Sequence, residues 1–108
     1  MLEPGLDRHE WESRWASLEE DLQDSPRDVL PELDALVLEM LQERGYALDD
    51  PVVREGDDRE VVWEFRAAHD TTVLLRDDPD SVSPGDIAEA VNGYRSLYEY
   101  LIEERAAP

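Results

Sequence analysis

The sequence contains no cysteine and no lysine. Without cysteine the chain forms neither disulfides nor thiolate metal sites. It has no apolar run near the roughly 18 residues that a membrane-spanning helix needs. Its five glycines are isolated, which excludes a glycine-rich phosphate-binding loop. The N-terminal segment has neither a basic region nor an apolar stretch, so it does not look like a signal peptide. We therefore expect a cytoplasmic protein with no membrane association.

Negative charge is the strongest feature that is present. The 108 residues include 29 acidic and 10 basic ones, which gives a formal net charge of −19. Nucleic acids and anionic membranes carry the same sign, so direct binding to either is disfavoured. Complementary charge instead favours a protein partner with a basic surface. Only 41% of the residues are hydrophobic, and so small a core is also consistent with a homodimer.

Hydrophobic periodicity predicts an all-α fold in which four amphipathic helices pack as a small bundle. The length predicts one domain spanning residues 1–108. The first helix is marked by apolar residues at i, i+4, i+7 and i+11, namely Trp11, Trp15, Leu18 and Leu22. We expect an acidic loop at residues 46–57 and helices at residues 7–23, 26–44, 58–74 and 84–104.

Capping signals support the predicted ends of these helices. Asp7 has capping-box spacing to Glu10, and Ser25 precedes a proline at the first helical position. Ser83 has the same combination of proline and capping-box spacing. Gly45 is a typical residue to end a helix. The second and fourth helices are therefore the most clearly delimited.

The segment EVVWEFRAAHDTTVLL, residues 60–75, fits two different structures. Its β-branched residues and Trp63 favour strands, with a short hairpin at 60–76. Helical spacing instead places four residues on one face: Val61, Phe65, Ala68 and Thr72. The residues alone leave both structures open.

Three stretches, in this order, carry a resemblance: ELDALVLEMLQERGY, EVVWEFRAAHD and DIAEAVNGYRSLYEYL. On these motifs the chain resembles, over residues 11–103, a family of small acidic proteins from high-GC bacteria. That family has no established function, so the resemblance implies no site residues. It does imply a helix through EVVWEFRAAHD, which favours the all-α fold over an α+β fold with a hairpin. The chain departs from the family pattern at Pro31, at 71–75 and at 76–82, so a strand remains the alternative for residues 71–75.

No residue pattern indicates a catalytic or metal centre. A di-iron bundle needs Glu-x-x-His motifs, but the residues three before His69 and His9 are Arg66 and Leu6. The pair formed by His69 and Asp70 could act as an oriented general base. The simpler interpretation is that His69 packs on the helix surface and bonds a nearby acid. We expect no catalytic residues, no metal and no cofactor.

Two aromatic residues lie off the predicted core faces, Trp63 and Tyr100. Because aromatic anchors are enriched in protein interfaces, both are candidates for a partner surface. We therefore expect a non-catalytic protein-interaction or structural domain. Two alternatives stay open. One is an inhibitor that mimics nucleic acid on a DNA-binding protein, and the other is an enzyme that uses carboxylates or a metal.

Overall fold

The computed structural model describes the backbone of residues 4–44 and 57–106, and the side chains of residues 8–44 and 60–103. Within these ranges the backbone is almost entirely helical and contains no β-strand. The helices are α1 (Pro4–Asp24), α2 (Pro26–Glu43), α3 (Asp57–Asp77) and α4 (Pro84–Ala106), with a short 3₁₀ turn at Pro79–Ser81. The predicted all-α fold of four packed helices is confirmed.

Residues 71–75 continue α3 as helix, so the alternative with a hairpin at 60–76 is wrong. The physical reason is the spacing of the residues that α3 buries. Five of them recur every three or four positions, Val61, Phe65, Ala68, Thr72 and Leu75, and the sixth, Val62, is adjacent to Val61. A strand would place successive residues on opposite sides and would expose part of this set. Burial of one helical face therefore outweighs the strand preference of the β-branched residues.

The helix starts follow the predicted caps to different degrees. At α4 the capping box is complete, because the Ser83 Oγ accepts the Asp86 N–H at 3.0 Å and the Asp86 carboxylate accepts the Ser83 N–H at 3.0 Å. At α2, Ser25 occupies the N-cap position, but its Oγ donates to the Asp28 carboxylate at 2.8 Å and caps no backbone N–H. Helix α1 begins at Pro4, so the prediction that Asp7 is its N-cap is wrong.

Pro31 lies inside α2 without ending it. Inside a helix a proline removes one backbone hydrogen bond, and its ring crowds the carbonyl of the residue four positions earlier. The predicted acidic loop at 46–57 lies outside the described residues except for Asp57, which begins α3. The predicted helix end at Gly45 also lies outside them.

Helices α2 and α4 form the centre of the packing, with α1 chiefly against α2 and α3 chiefly against α4. One hydrophobic cluster includes residues of all four helices. Its largest fully buried side chains come from the two central helices: Leu30, Leu33, Leu36, Val37 and Leu41 of α2, and Tyr94 and Leu101 of α4.

Aromatic and ionic contacts join α1 to α4 over the core. Trp15 stacks on Tyr98 with 4.3 Å between ring centroids and 5° between ring planes. The Trp15 indole N–H donates to Glu19 at 3.0 Å, and Arg95 donates two hydrogen bonds to the same carboxylate, both at 3.1 Å. These hydrogen bonds from Arg95, followed by the one from Trp15, lower the pKa of Glu19. Trp11, Trp15, Tyr94 and Tyr98 are all buried in this core.

Gly93 marks the close approach of α4 to α3. A Cβ atom at this position would lie 3.5 Å from the Ala68 Cβ and 4.0 Å from the Glu64 Cγ. Both distances are ordinary van der Waals contacts. The glycine is therefore compatible with an alanine, which has the higher helix propensity.

We expect Gly93→Ala to raise the free energy of unfolding by about 0.5–1 kcal/mol, because alanine loses less backbone entropy on folding than glycine. Urea unfolding followed by circular dichroism measures this change. Gly93→Leu is the matched control and should destabilise, because its larger side chain has no space against Ala68. A loss of stability in Gly93→Ala would contradict the described helix spacing.

Candidate functional site

The two predicted partner-surface residues have different surroundings. Trp63 of α3 is 64% exposed, the most exposed large hydrophobic residue among those whose side chains are described. Tyr100 of α4 is half-buried and packs against the core cluster. Trp63 is thus the stronger candidate for a partner surface because it is exposed, whereas Tyr100 packs α4 against the core.

Four residues on α3 form what we call the outer stripe, on the side opposite the core: Trp63, Ala67, Asp70 and Leu74. Their spacing of 4, 3 and 4 residues places them on one helical face, and all four are exposed. Leu74 is 42% exposed and is not among the predicted partner-surface residues. Its position 11 residues after Trp63, three helical turns further on, is the signal that could have found it.

One border of the outer stripe is acidic. Glu60 and Glu64 lie one helical turn apart there, and both are exposed. Partial burial raises the pKa of the Glu64 carboxyl, and the neighbouring Glu60 raises it further. The apolar residues of the outer stripe, with these carboxylates beside them, complement a partner that offers apolar and cationic groups together.

On the core side of α3, four polar residues from three helices form what we call the polar cluster: Asp34 of α2, His69 and Thr72 of α3, and Tyr94 of α4. The Asp34 Oδ2 lies 2.7 Å from the His69 Nδ1 and 2.7 Å from the Tyr94 hydroxyl. The Thr72 Oγ1 lies 2.6 Å from the Tyr94 hydroxyl and donates to the Ala68 carbonyl at 3.0 Å. Asp34 is 8% exposed and Tyr94 is fully buried.

The protons available in the polar cluster determine which groups donate its hydrogen bonds. A carboxylate at Asp34 can only accept, so Tyr94 and His69 both donate to it. The single Thr72 proton is then shared between the Tyr94 oxygen and the Ala68 carbonyl. Burial raises the pKa of Tyr94 strongly, and the hydrogen bond to Asp34 adds to this effect while Thr72 opposes it. The buried acid is therefore satisfied by two donors.

His69 bonds an acid, as the simpler interpretation expected, but that acid is Asp34 and not Asp70. The His69 side chain is 43% exposed and stacks on Phe65 at 5.4 Å between centroids. Local sequence patterns do not reveal this contact with Asp34, because it joins residues 35 positions apart. A signal was available: Asp34 lies between Leu30 and Val37 on the apolar face of α2, where an acid requires a partner.

An oriented histidine is a potential base, but the geometry supplies little else for catalysis. A groove of about 430 Å³ lies between the end of α1, the first residue of α2 and the first half of α4, and no polar-cluster residue lines it. Six of its ten lining residues are apolar, and its charged residues, Glu19 and Arg95, pair with each other. The His69 imidazole therefore does not line the groove, so the potential base and the groove lie at separate places in the fold.

Across the described ranges, no group of three His, Asp or Glu residues is placed to hold a metal ion. In the same ranges, no helix combines the length and the apolar character needed to cross a membrane. No family model, curated protein or solved structure matches the chain. The features of the molecule that bear on its function are therefore the outer stripe, the polar cluster and the net charge.

We expect Tyr94→Phe to lower the free energy of unfolding by about 1–3 kcal/mol, because it removes one donor from a buried carboxylate. It should also change how the free energy of unfolding depends on pH in the alkaline range. The folded state holds the Tyr94 proton more tightly than the unfolded chain, so wild-type stability falls as the pH rises above about 10.

Urea unfolding at pH 8 and at pH 10.5 measures both effects. The variant should lose less stability between pH 8 and pH 10.5 than the wild type does. The loss that remains comes from Tyr98, whose pKa is also raised by burial. Equal stability at pH 8 together with an unchanged alkaline loss would contradict the described hydrogen bonds.

Proposed function

We propose that this chain is a cytoplasmic, non-catalytic protein-interaction domain that binds a basic protein partner through the outer stripe of α3. The observation that carries the proposal is the 64% exposure of Trp63 in line with the exposed Leu74. The three ordered motifs support the further proposal that the chain belongs to the family of small acidic proteins it resembles.

Two exposed large hydrophobic residues lie on one face of α3. Among the residues whose side chains are described, Trp63 and Leu74 are the only large hydrophobics in the exposed class. Tryptophan is enriched among the residues that dominate binding energy in protein interfaces. A water-exposed indole aligned with a second apolar residue is therefore supporting evidence for a contact surface.

The charge of the chain narrows the class of partner. A net charge of −19 attracts a basic surface over a long range and speeds productive encounters. It repels nucleic acid and a second copy of the same chain. The apolar stripe would then provide affinity at short range, and the surrounding acids would provide selection and a fast association rate.

The test compares capture of partners from a native lysate by the tagged wild type, Trp63→Ala and Gln23→Ala. Trp63→Ala should lose a specific partner, with an affinity reduced about 30-fold or more, because truncating an interface tryptophan commonly costs 2 kcal/mol or more. Gln23 lines the separate groove, so Gln23→Ala should keep the partner. Circular dichroism should show equal helix content for all three proteins.

Other outcomes separate the competing functions. Equal capture by the wild type and Trp63→Ala would contradict binding through the outer stripe. A partner that binds DNA, that DNA displaces, and that Trp63→Ala retains would indicate nucleic-acid mimicry instead. Loss of the partner only in Gln23→Ala would indicate that the partner binds in the groove and not on the outer stripe.

A further inference from the structure

The outer stripe has the geometry of a seam for another helix. Its spacing of 4, 3 and 4 residues is the alternation that lets one helix pack along a second in a coiled coil. From Trp63 to Leu74 the seam extends about 16 Å at 1.5 Å per residue. It follows one uninterrupted helix, because α3 runs from Asp57–Asp77. An elongated, straight seam of three turns fits a helix better than a loop or a flat surface.

Side-chain size along the seam also suits a helix. The small Ala67 lies between the large Trp63 and Leu74, and this leaves a shallow position between two raised ones. Packing of side chains into such positions is what fixes the register of one helix against another. A partner helix that packs along the seam would therefore place a large apolar side chain opposite Ala67.

Asp70 determines the charge of what covers the seam. It is exposed, and its carboxylate forms no hydrogen bond and no ion pair with the described residues. A helix packed over the stripe would remove water from this carboxylate. Desolvation of an unpaired charge is costly, whereas a charge-assisted hydrogen bond from a cation compensates for it. The covering helix must therefore bring a cationic side chain to the middle of its apolar face.

A second copy of this chain does not meet that requirement. A parallel copy would place Asp70 against Asp70, and an antiparallel copy would place it against Ala67. Each copy would also bring a net charge of −19. Along the border of the seam, Glu60 and Glu64 would add like charge from both copies.

Resting on the proposed function, we infer that the partner element bound by the outer stripe is an amphipathic helix whose apolar face carries a central arginine or lysine that pairs with Asp70. Trp63 and Leu74 contact apolar residues on either side of that cation. Glu60 and Glu64 favour further basic residues along one edge of the bound helix. Asp70 is thus the residue that selects the partner, and Trp63 is the residue that supplies most of the affinity.

The test uses two synthetic amphipathic helical peptides that differ only in the central residue of the apolar face, arginine in one and glutamate in the other. Fluorescence titration reports binding through Trp63. The wild type should bind the arginine peptide at least tenfold more tightly than the glutamate peptide. In Asp70→Lys this order should reverse. Circular dichroism checks that the variant keeps its helix content.

Glu32→Lys is the matched control. It makes the same change in net charge, but Glu32 is an exposed residue of α2 and not of the outer stripe. The control should keep the wild-type preference for the arginine peptide. If Glu32→Lys shifts the preference as much as Asp70→Lys does, net charge alone governs binding and the inference fails.

The remaining outcomes separate this inference from the proposed function. An unchanged preference in Asp70→Lys, or no binding of either peptide to the wild type, would overturn the inference that the partner is a helix with a central cation. Partner capture that depends on Trp63 would then still support binding through the outer stripe. Capture that is independent of Trp63 would overturn the proposed function itself.

Discussion

Asp34 is an acid that α2 buries against two other helices, and the hydrogen bonds that it accepts fix how those helices are rotated. Tyr94 of α4 and His69 of α3 both donate to one oxygen of this carboxylate at 2.7 Å. Breaking either bond would leave a poorly solvated charge, which costs more than the bond contributes when it is formed. Apolar packing alone tolerates small rotations of a helix about its axis, whereas these bonds do not. The rotation of α3 is therefore set from the core side, and it turns Trp63 outwards.

Excess negative charge is the constraint under which the rest of the surface is built. Among the described residues, two arginines form ion pairs between helices: Arg14 with Glu39, joining α1 to α2, and Arg95 with Glu19, joining α1 to α4. Both contacts lower the pKa of the glutamate. Surface ion pairs of this kind contribute little stability individually. Their use here is to place cations where acidic helices meet, while the outer stripe keeps Asp70 without an ion pair among the described residues.

Much of the fold was predictable from the sequence because it depends on local patterns. The spacing of apolar residues and the cap at Ser83 located α2 and α4. Strand preference competed with helical spacing in α3, and only burial of Thr72 and its neighbours against α4 decides between them. The polar cluster was not predictable in the same way. Tyr94 and Asp34 are 60 positions apart, and no local pattern specifies which buried donor meets which acid. Trp63 was recognised as lying off the core face, but its alignment with Leu74 requires α3 to be helical to its end.

The central claim is that contacts on the inner side of α3 hold Trp63 in water while the other two tryptophans stay buried. Trp11 and Trp15 are each 7% exposed. Acrylamide quenching of tryptophan fluorescence tests this claim most directly when the wild type is compared with Trp63→Phe. We expect the wild type to show one readily quenched component and one protected component, and Trp63→Phe to retain only the protected one. A readily quenched component that survives in Trp63→Phe would contradict the described rotation of α3 and, with it, the outer stripe.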